Sequence, residues 1–201
     1  MSQAKSVPFL KLLALASEHA AAQAFWIVTF ALLTAVGAQI EIPHQPVPYT
    51  LQTFVVLLAG AMLGKRNGLI SMLLYLGLGS AGVPVFAGAS SGIVRLLGPT
   101  GGYLLGFPLA AVAVAFLVSK WPLDNAEAGG SRWRTALHYG WTFGSLLVGL
   151  IIIFLLGTLQ LNLVYFHDWG ASFASGFLIF SWWDLLKLCA ATAIYHQLAR
   201  R

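Results

Sequence analysis

Residues 137–163 read LHYGWTFGSLLVGLIIIFLLGTLQLNL, without one Asp, Glu, Lys or Arg. An α-helix rises about 1.5 Å per residue and the hydrocarbon core of a bilayer is roughly 30 Å thick, so about 20 apolar residues cross it. Backbone in lipid has to satisfy its own hydrogen bonds, and a helix does so. This stretch therefore reads as a span, and water is not the main solvent of the chain. Composition agrees: 59% of the 201 residues are hydrophobic, 8% are charged and the mean hydropathy is +0.82, well away from a soluble domain's balance.

Working outward, further apolar segments run over 20–40, 49–64, 68–82, 101–118 and 181–199, each bounded by charges, prolines or glycines. Together these make six candidate helices. The expected fold is all-α and integral to the membrane: one domain over 1–201, with six transmembrane helices in 20–199 and an amphipathic surface lead-in over 1–19. The second and third segments are short, since about 15 residues cover only about 23 Å. Their outer ends need loops packed in protein.

The formal charge is +5, but the basic residues stand in pairs between apolar blocks and not on one stripe, which argues against a nucleic-acid surface. Topology explains them. With a cytoplasmic N-terminus, Lys5, Lys11, Lys65, Arg66, Lys120, Arg132, Arg134, Arg200 and Arg201 all face inward, nine of the 11 Lys and Arg residues. The positive-inside bias then predicts an even number of spans with both termini cytoplasmic.

Arg95 and Lys187 are left over. Arg95 falls in an outward loop, and Lys187 falls within the sixth span, three residues after Asp184. Between Gly77 and Pro108 stand nine of the 21 glycines and three of the eight prolines. Irregular backbone at membrane depth survives where protein or water satisfies it, so this stretch is expected to line a cavity. Ser181-Trp182-Trp183-Asp184 also fits a capping box, which would place Asp184 in a favourable first turn with Lys187 as its simple partner. Yet an ionisable side chain in a span costs about 2.5–3.5 kcal/mol on insertion scales. If Arg95 folds over the same end, the three groups sum to a single positive charge, which one carboxylate would neutralise. Phe86, Tyr103, Trp182 and Trp183 are candidate walls for the rest of a small acid bound from outside.

Several strings lead nowhere. Gly88-Ala89-Ser90-Ser91-Gly92 fits G-x-S-x-G, but that nucleophile elbow belongs to an α/β sheet. Gly60-Ala61-Met62-Leu63-Gly64-Lys65-Arg66 is one residue short of a phosphate loop and lacks the Ser or Thr after Lys. No enzyme activity is expected. Gly60 with Gly64, and Ala31 with Ala35, have the spacing of close helix contacts. His19, His44, His138, His167 and His196 show no metal-binding spacing, and Cys189 is expected to be a packing residue.

One ordered set of strings is more specific. Pro46-Val47-Pro48-Tyr49-Thr50-Leu51-Gln52-Thr53 is followed by Gly64-Lys65-Arg66-Asn67-Gly68, Tyr75-Leu76-Gly77-Leu78-Gly79, Gly82-Val83-Pro84-Val85-Phe86 and Leu97-Gly98-Pro99-Thr100-Gly101-Gly102-Tyr103-Leu104, and the set closes with Asp184-Leu185-Leu186-Lys187. It resembles the BioY family of biotin-specific substrate-binding S components of energy-coupling-factor transporters. The resemblance implies a multi-pass protein of the bacterial inner membrane that captures biotin as a transported substrate, with no bound cofactor or metal. It also implies docking on a transmembrane coupling subunit driven by two ATPase subunits. Its substrate-binding residues would be Arg95, Asp184, Lys187, Phe86, Tyr103 and Gln52, with Asp184 toward the ureido N–H groups and Arg95 and Lys187 toward the carboxylate. Ala31 and Ala35 would be partner contacts on the first helix. An S component for another small vitamin, or a stand-alone biotin permease, are the alternatives. The segment 164–180 matches the family poorly.

Overall fold

The computed structural model describes residues 19–121, 132–178 and 182–200. The expected surface lead-in lies outside the described residues, apart from its last position.

Helix α1 (Ala20–Gln39) opens the fold. A two-residue ribbon follows, β1 (Glu41–Ile42) antiparallel to β2 (Tyr49–Thr50), with Glu41 opposite Thr50 and Ile42 opposite Tyr49. Helix α2 (Gln52–Ser80) comes next, and Gly64 interrupts it with φ +77° and ψ 179°. Such a backbone is costly for any residue with a β-carbon. The chain doubles back there. A β-carbon built on Gly68 would lie 3.3 Å from the Ala59 carbonyl oxygen, and the Gln52 side-chain amide donates to the Tyr75 hydroxyl. Residues 52–63 and 65–80 are thus two arms of an antiparallel hairpin, matching the expected second and third segments.

A 3₁₀ turn (Ala87–Ala89) and a short helix α3 (Ile93–Leu97) lead into α4 (Gly101–Val118) and α5 (Arg132–Leu161). Beyond α5 come a π turn (Asn162–Phe166), a short α6 (Trp169–Ser172), a second π turn (Phe173–Phe177) and α7 (Trp182–Arg200). Helix α4 is the centre of the bundle, packed against α2 on one side and α5 on the other, while α1 lies on α2 and α7 touches both α2 and α5.

Small residues set these distances. A β-carbon on Gly60 would lie 2.5 Å from the Ala111 carbonyl oxygen, and one on Gly102 would lie 2.2 Å from that of Leu156. Without a hydrophobic drive between helices in lipid, close van der Waals contact of this kind holds the bundle. The expected Gly60–Gly64 pair therefore divides its labour: Gly60 brings two helices together and Gly64 reverses the chain. Ala31 and Ala35 also turn inward. Ala31 is buried in the core, and Ala35 is half-buried against it, so this pair packs the chain's own helices.

Four helices are long and apolar enough to cross a membrane, or five if Trp169–Phe177 and Trp182–Leu198 form one bent span. Their outward faces carry Phe25, Leu32, Val36, Leu105, Leu109, Leu155 and Leu159, all exposed, as suits a lipid solvent.

The bundle has two unlike ends. Gly64, the end of α4 and the start of α5 gather at one, where the ammonium groups of Lys65 and Lys120 both lie over the Phe116 ring, at 4.5 and 4.7 Å. Arg66, Arg132 and Arg134 stand at the same end. A buried histidine pair closes it: His138 Nδ1 lies 3.4 Å from His196 Nε2, and His138 Nε2 donates to the Trp121 carbonyl at 2.8 Å. Among the described residues no group of three or more His, Cys, Asp or Glu side chains could hold a metal.

Gly60→Val should lower the thermal midpoint of the detergent-solubilised protein, at a cost of about 1–3 kcal/mol for overpacking. Gly77→Ala, where a β-carbon meets nothing within 4 Å, should leave the midpoint unchanged or raise it. Scanning fluorimetry compares the two, and equal drops would mean that α2 and α4 do not meet at Gly60.

Candidate functional site

The other end of the bundle holds a cavity of about 500 Å³. Its lining comes from the β ribbon and the loop within it, the start of α2, the turn from Phe86 to Ser90, α3, the first turns of α4, and the facing parts of α5 and α7. Arg95, Asp184, Lys187, Phe86, Tyr103 and Gln52 all line it. The glycine- and proline-rich stretch supplies much of the wall, as its composition predicts.

The floor is charged and closed. Asp184 lies in the first turn of α7, where a helix N-terminus favours a carboxylate. Its Oδ1 is 2.7 Å from Lys187 Nζ, and their side chains are 2% and 11% exposed. Lys187 also donates to the Thr50 carbonyl oxygen at 3.1 Å and to Thr53 Oγ1 at 3.0 Å. An ammonium has three protons to donate, and all three have acceptors here. The pair is neutral, and it ties α7 to the junction of β2 and α2. Ser181 lies outside the described residues, so the capping box expected there is not described.

The walls are aromatic and locked. Tyr75 receives the Gln52 amide, donates to the Val85 carbonyl at 3.1 Å, and meets Phe86 edge-on with ring centroids 5.5 Å apart. Thr50 Oγ1 donates to Gln52 Oε1 at 2.9 Å. Gln52 thus braces the wall from within it. Phe86 fits because Gly79 has no side chain: a β-carbon there would lie 2.1 Å from the Phe86 ring. On the opposite wall Tyr103 donates to the Gly176 carbonyl at 2.8 Å and packs edge-on against Phe154. Trp182 and Trp183, expected as walls, stack on each other at 4.5 Å and are both exposed. They do not line the cavity, because they precede Asp184 on a helix whose inward face is set by Asp184, Lys187 and Leu188.

The rim is open and carries unlike charges. Arg95 is exposed on α3, and Gln160 holds that segment by donating to the Leu96 and Gly98 carbonyls at 2.7 and 2.8 Å. Glu41, on β1, also lines the cavity. Sequence reasoning missed it. An acid between two apolar segments on the expected outward side, five residues before Pro46, was the available signal. Its carboxylate cancels the surplus positive charge expected from Arg95, Asp184 and Lys187. The formal charges of these four lining groups then sum to zero. Ser90, from the hydrolase-like string, donates its hydroxyl to the Ala87 carbonyl at 2.7 Å within a tight turn.

A bundle of apolar helices enclosing a ligand-sized cavity with aromatic walls and a charged floor at one end is the build of a multi-pass membrane protein that captures small molecules. The sequence model of the BioY family matches residues 8–201. The chain is 40% identical to the biotin transporter BioY of Thermotoga maritima over 85% of its own length and 92% of that protein's. It is 38% identical to the probable biotin transporter BioY of Pyrococcus horikoshii, over 86% and 93% respectively. The crystal structure of the S component for biotin from an ECF-type ABC transporter superposes with a TM-score of 0.76 at 24% identity, covering 89% of this chain and 91% of that one. That likeness gives the fold. This chain belongs to the BioY family.

Removing one member of the buried pair leaves the other uncompensated, which costs about 3–5 kcal/mol. Lys187→Met should therefore lower stability sharply, and adding Asp184→Asn to it should restore most of the loss. Thermal unfolding in nanodiscs tests this, and simple additivity of the two single effects would show that the residues are not coupled.

Proposed function

We propose that the chain captures biotin in this cavity and passes it across the membrane as the substrate-binding subunit of an ECF-type transporter. One observation carries the reading: a buried, neutral acid–base pair lies at the floor and a free-standing guanidinium at the rim of one aromatic-walled cavity. Biotin has the matching halves. Its ureido ring offers N–H donors and a carbonyl acceptor without net charge, and its valerate tail ends in a carboxylate. Asp184 would accept from the ring N–H groups. Lys187 keeps its own acceptors, so the carboxylate falls to Arg95 alone. Phe86 and Tyr103 would flank the apolar body, with Gln52 bracing the wall. The relatives from Thermotoga and Pyrococcus are named biotin transporter and probable biotin transporter, which supports the substrate.

Six spans fit this reading, with the hairpin at Gly64 counted as two and Trp169–Phe177 with Trp182–Leu198 as a bent sixth. The cluster of Lys65, Arg66, Lys120, Arg132 and Arg134 at the end away from the cavity supports an orientation with that end, and both termini, in the cytoplasm. The cavity then opens outward across a bacterial inner membrane. Translocation requires energy from elsewhere, supplied in this reading by a transmembrane coupling subunit and two ATPases. Exposed apolar residues of α1, such as Leu32 and Val36, offer the contact surface that Ala31, being buried, does not.

Purified protein should retain radiolabelled biotin, and an excess of unlabelled biotin, but not of other vitamins, should displace it. Arg95→Ala should weaken retention about tenfold, the worth of roughly 1.5 kcal/mol for a charge-assisted hydrogen bond. No retention by the native protein would end the proposal. Uptake in cells lacking every coupling subunit would favour a stand-alone permease.

A further inference from the structure

The rim of the cavity has one group too many for a monoanion. Glu41 is half-buried on β1, and its Oε1 lies 3.6 Å from where a β-carbon on Gly88 would stand. Gly88 is itself part of the lining. Gln39 fixes the turn that bears Gly88. Its amide nitrogen donates to the Phe86 carbonyl at 3.2 Å and its oxygen accepts from the Ala89 N–H at 3.0 Å, clamping the turn from Phe86 to Ala89 onto the end of α1. The turn that the carboxylate faces is thus held at the cavity edge. Among the described residues the Glu41 carboxylate forms no ion pair or hydrogen bond with another side chain, and Arg95 has none either. These two opposite charges line one opening and do not pair with each other.

For biotin alone this is a poor design. Arg95 attracts the carboxylate and Glu41 repels it. The conflict disappears for a ligand whose far end carries both charges. The floor holds the ring, the walls hold the chain, and a carbonyl at the end of the tail, joined in an amide, extends the molecule out through the open rim. A terminal α-amino acid then presents an ammonium to Glu41 and a carboxylate to Arg95, while the amide itself is neutral.

We propose that the Glu41–Arg95 rim is a subsite for the zwitterionic end of a biotinyl amide, so that the cavity accepts biotin joined to the side chain of an amino acid as well as free biotin. The inference rests on the proposed function. The source of such a ligand would be the class of reaction that hydrolyses biotin-bearing proteins down to single residues.

Biotinyl-lysine is the probe, measured by its displacement of radiolabelled biotin from the purified full-length protein. It should compete within about tenfold of unlabelled biotin, and its Nα-acetylated form, which lacks the ammonium, should compete at least fivefold less well. Glu41→Gln should shift the ratio of the two affinities toward biotin by at least fivefold, because it removes a partner for one ligand and a repulsion for the other. Retention of biotin by the variant reports that it is folded. A smaller shift, a shift toward biotinyl-lysine, or failure of biotinyl-lysine to compete at hundredfold excess would overturn the subsite while leaving biotin capture standing. Absence of biotin retention by the native protein would instead overturn the reading beneath it.

Discussion

The ion pair between Asp184 and Lys187 is the constraint around which the rest is arranged. Two charges in a span are expensive, and here the cost is offset by mutual contact, by a helix N-terminus and by two further acceptors on Thr50 and Thr53. Satisfying the ammonium requires the β ribbon and the start of α2 to meet α7. That meeting closes the floor of the cavity. The same neutrality decides what the floor can recognise: a polar, uncharged ring can exchange hydrogen bonds there, and a bare carboxylate would face Asp184. Arg95, held apart on its own short helix, is where an anion would be received in the proposed function.

Everything around this arrangement keeps it rigid. Gly60 and Gly102 allow α2, α4 and α5 to approach to backbone contact, Gln52 and Tyr75 lock one wall, and Gln160 and Gln39 pin the two irregular segments that bear the rim. The opposite end is built differently. There the histidine pair and the stacked Tyr139–His196 rings join α5 and α7 beneath a cluster of cations. The two helices that carry the cavity's floor and one of its walls are thus also fastened at their far ends.

Much of this was legible in the sequence because lipid simplifies the code. Apolar runs marked the helices, and the residues that broke the pattern, Arg95, Asp184 and Lys187, meet in one cavity. The Gly77–Pro108 density marked the irregular wall. What escaped depended on contacts between positions distant in sequence. His138 and His196 show no metal spacing and come together only when α5 and α7 pack. Two-residue strands have too little pattern to be seen, and with them went Glu41. Trp182 and Trp183 were misread because nearness in sequence to Asp184 says nothing about which side of a helix faces inward. Ala31 has the spacing of a contact residue, but spacing alone does not say whether the contact is with the chain's own helices or with a partner.

The central claim is that Arg95, and not the buried lysine, receives the ligand's carboxylate. A thermodynamic cycle between protein and ligand tests it most directly, with affinities measured for biotin and for its neutral methyl ester on the native protein and on Arg95→Ala. Esterification should weaken binding about tenfold in the native protein, the scale of one charge-assisted contact, and should cost almost nothing once Arg95 is gone. If the ester loses as much affinity in the variant as in the native protein, the carboxylate lies elsewhere and the division between floor and rim is wrong.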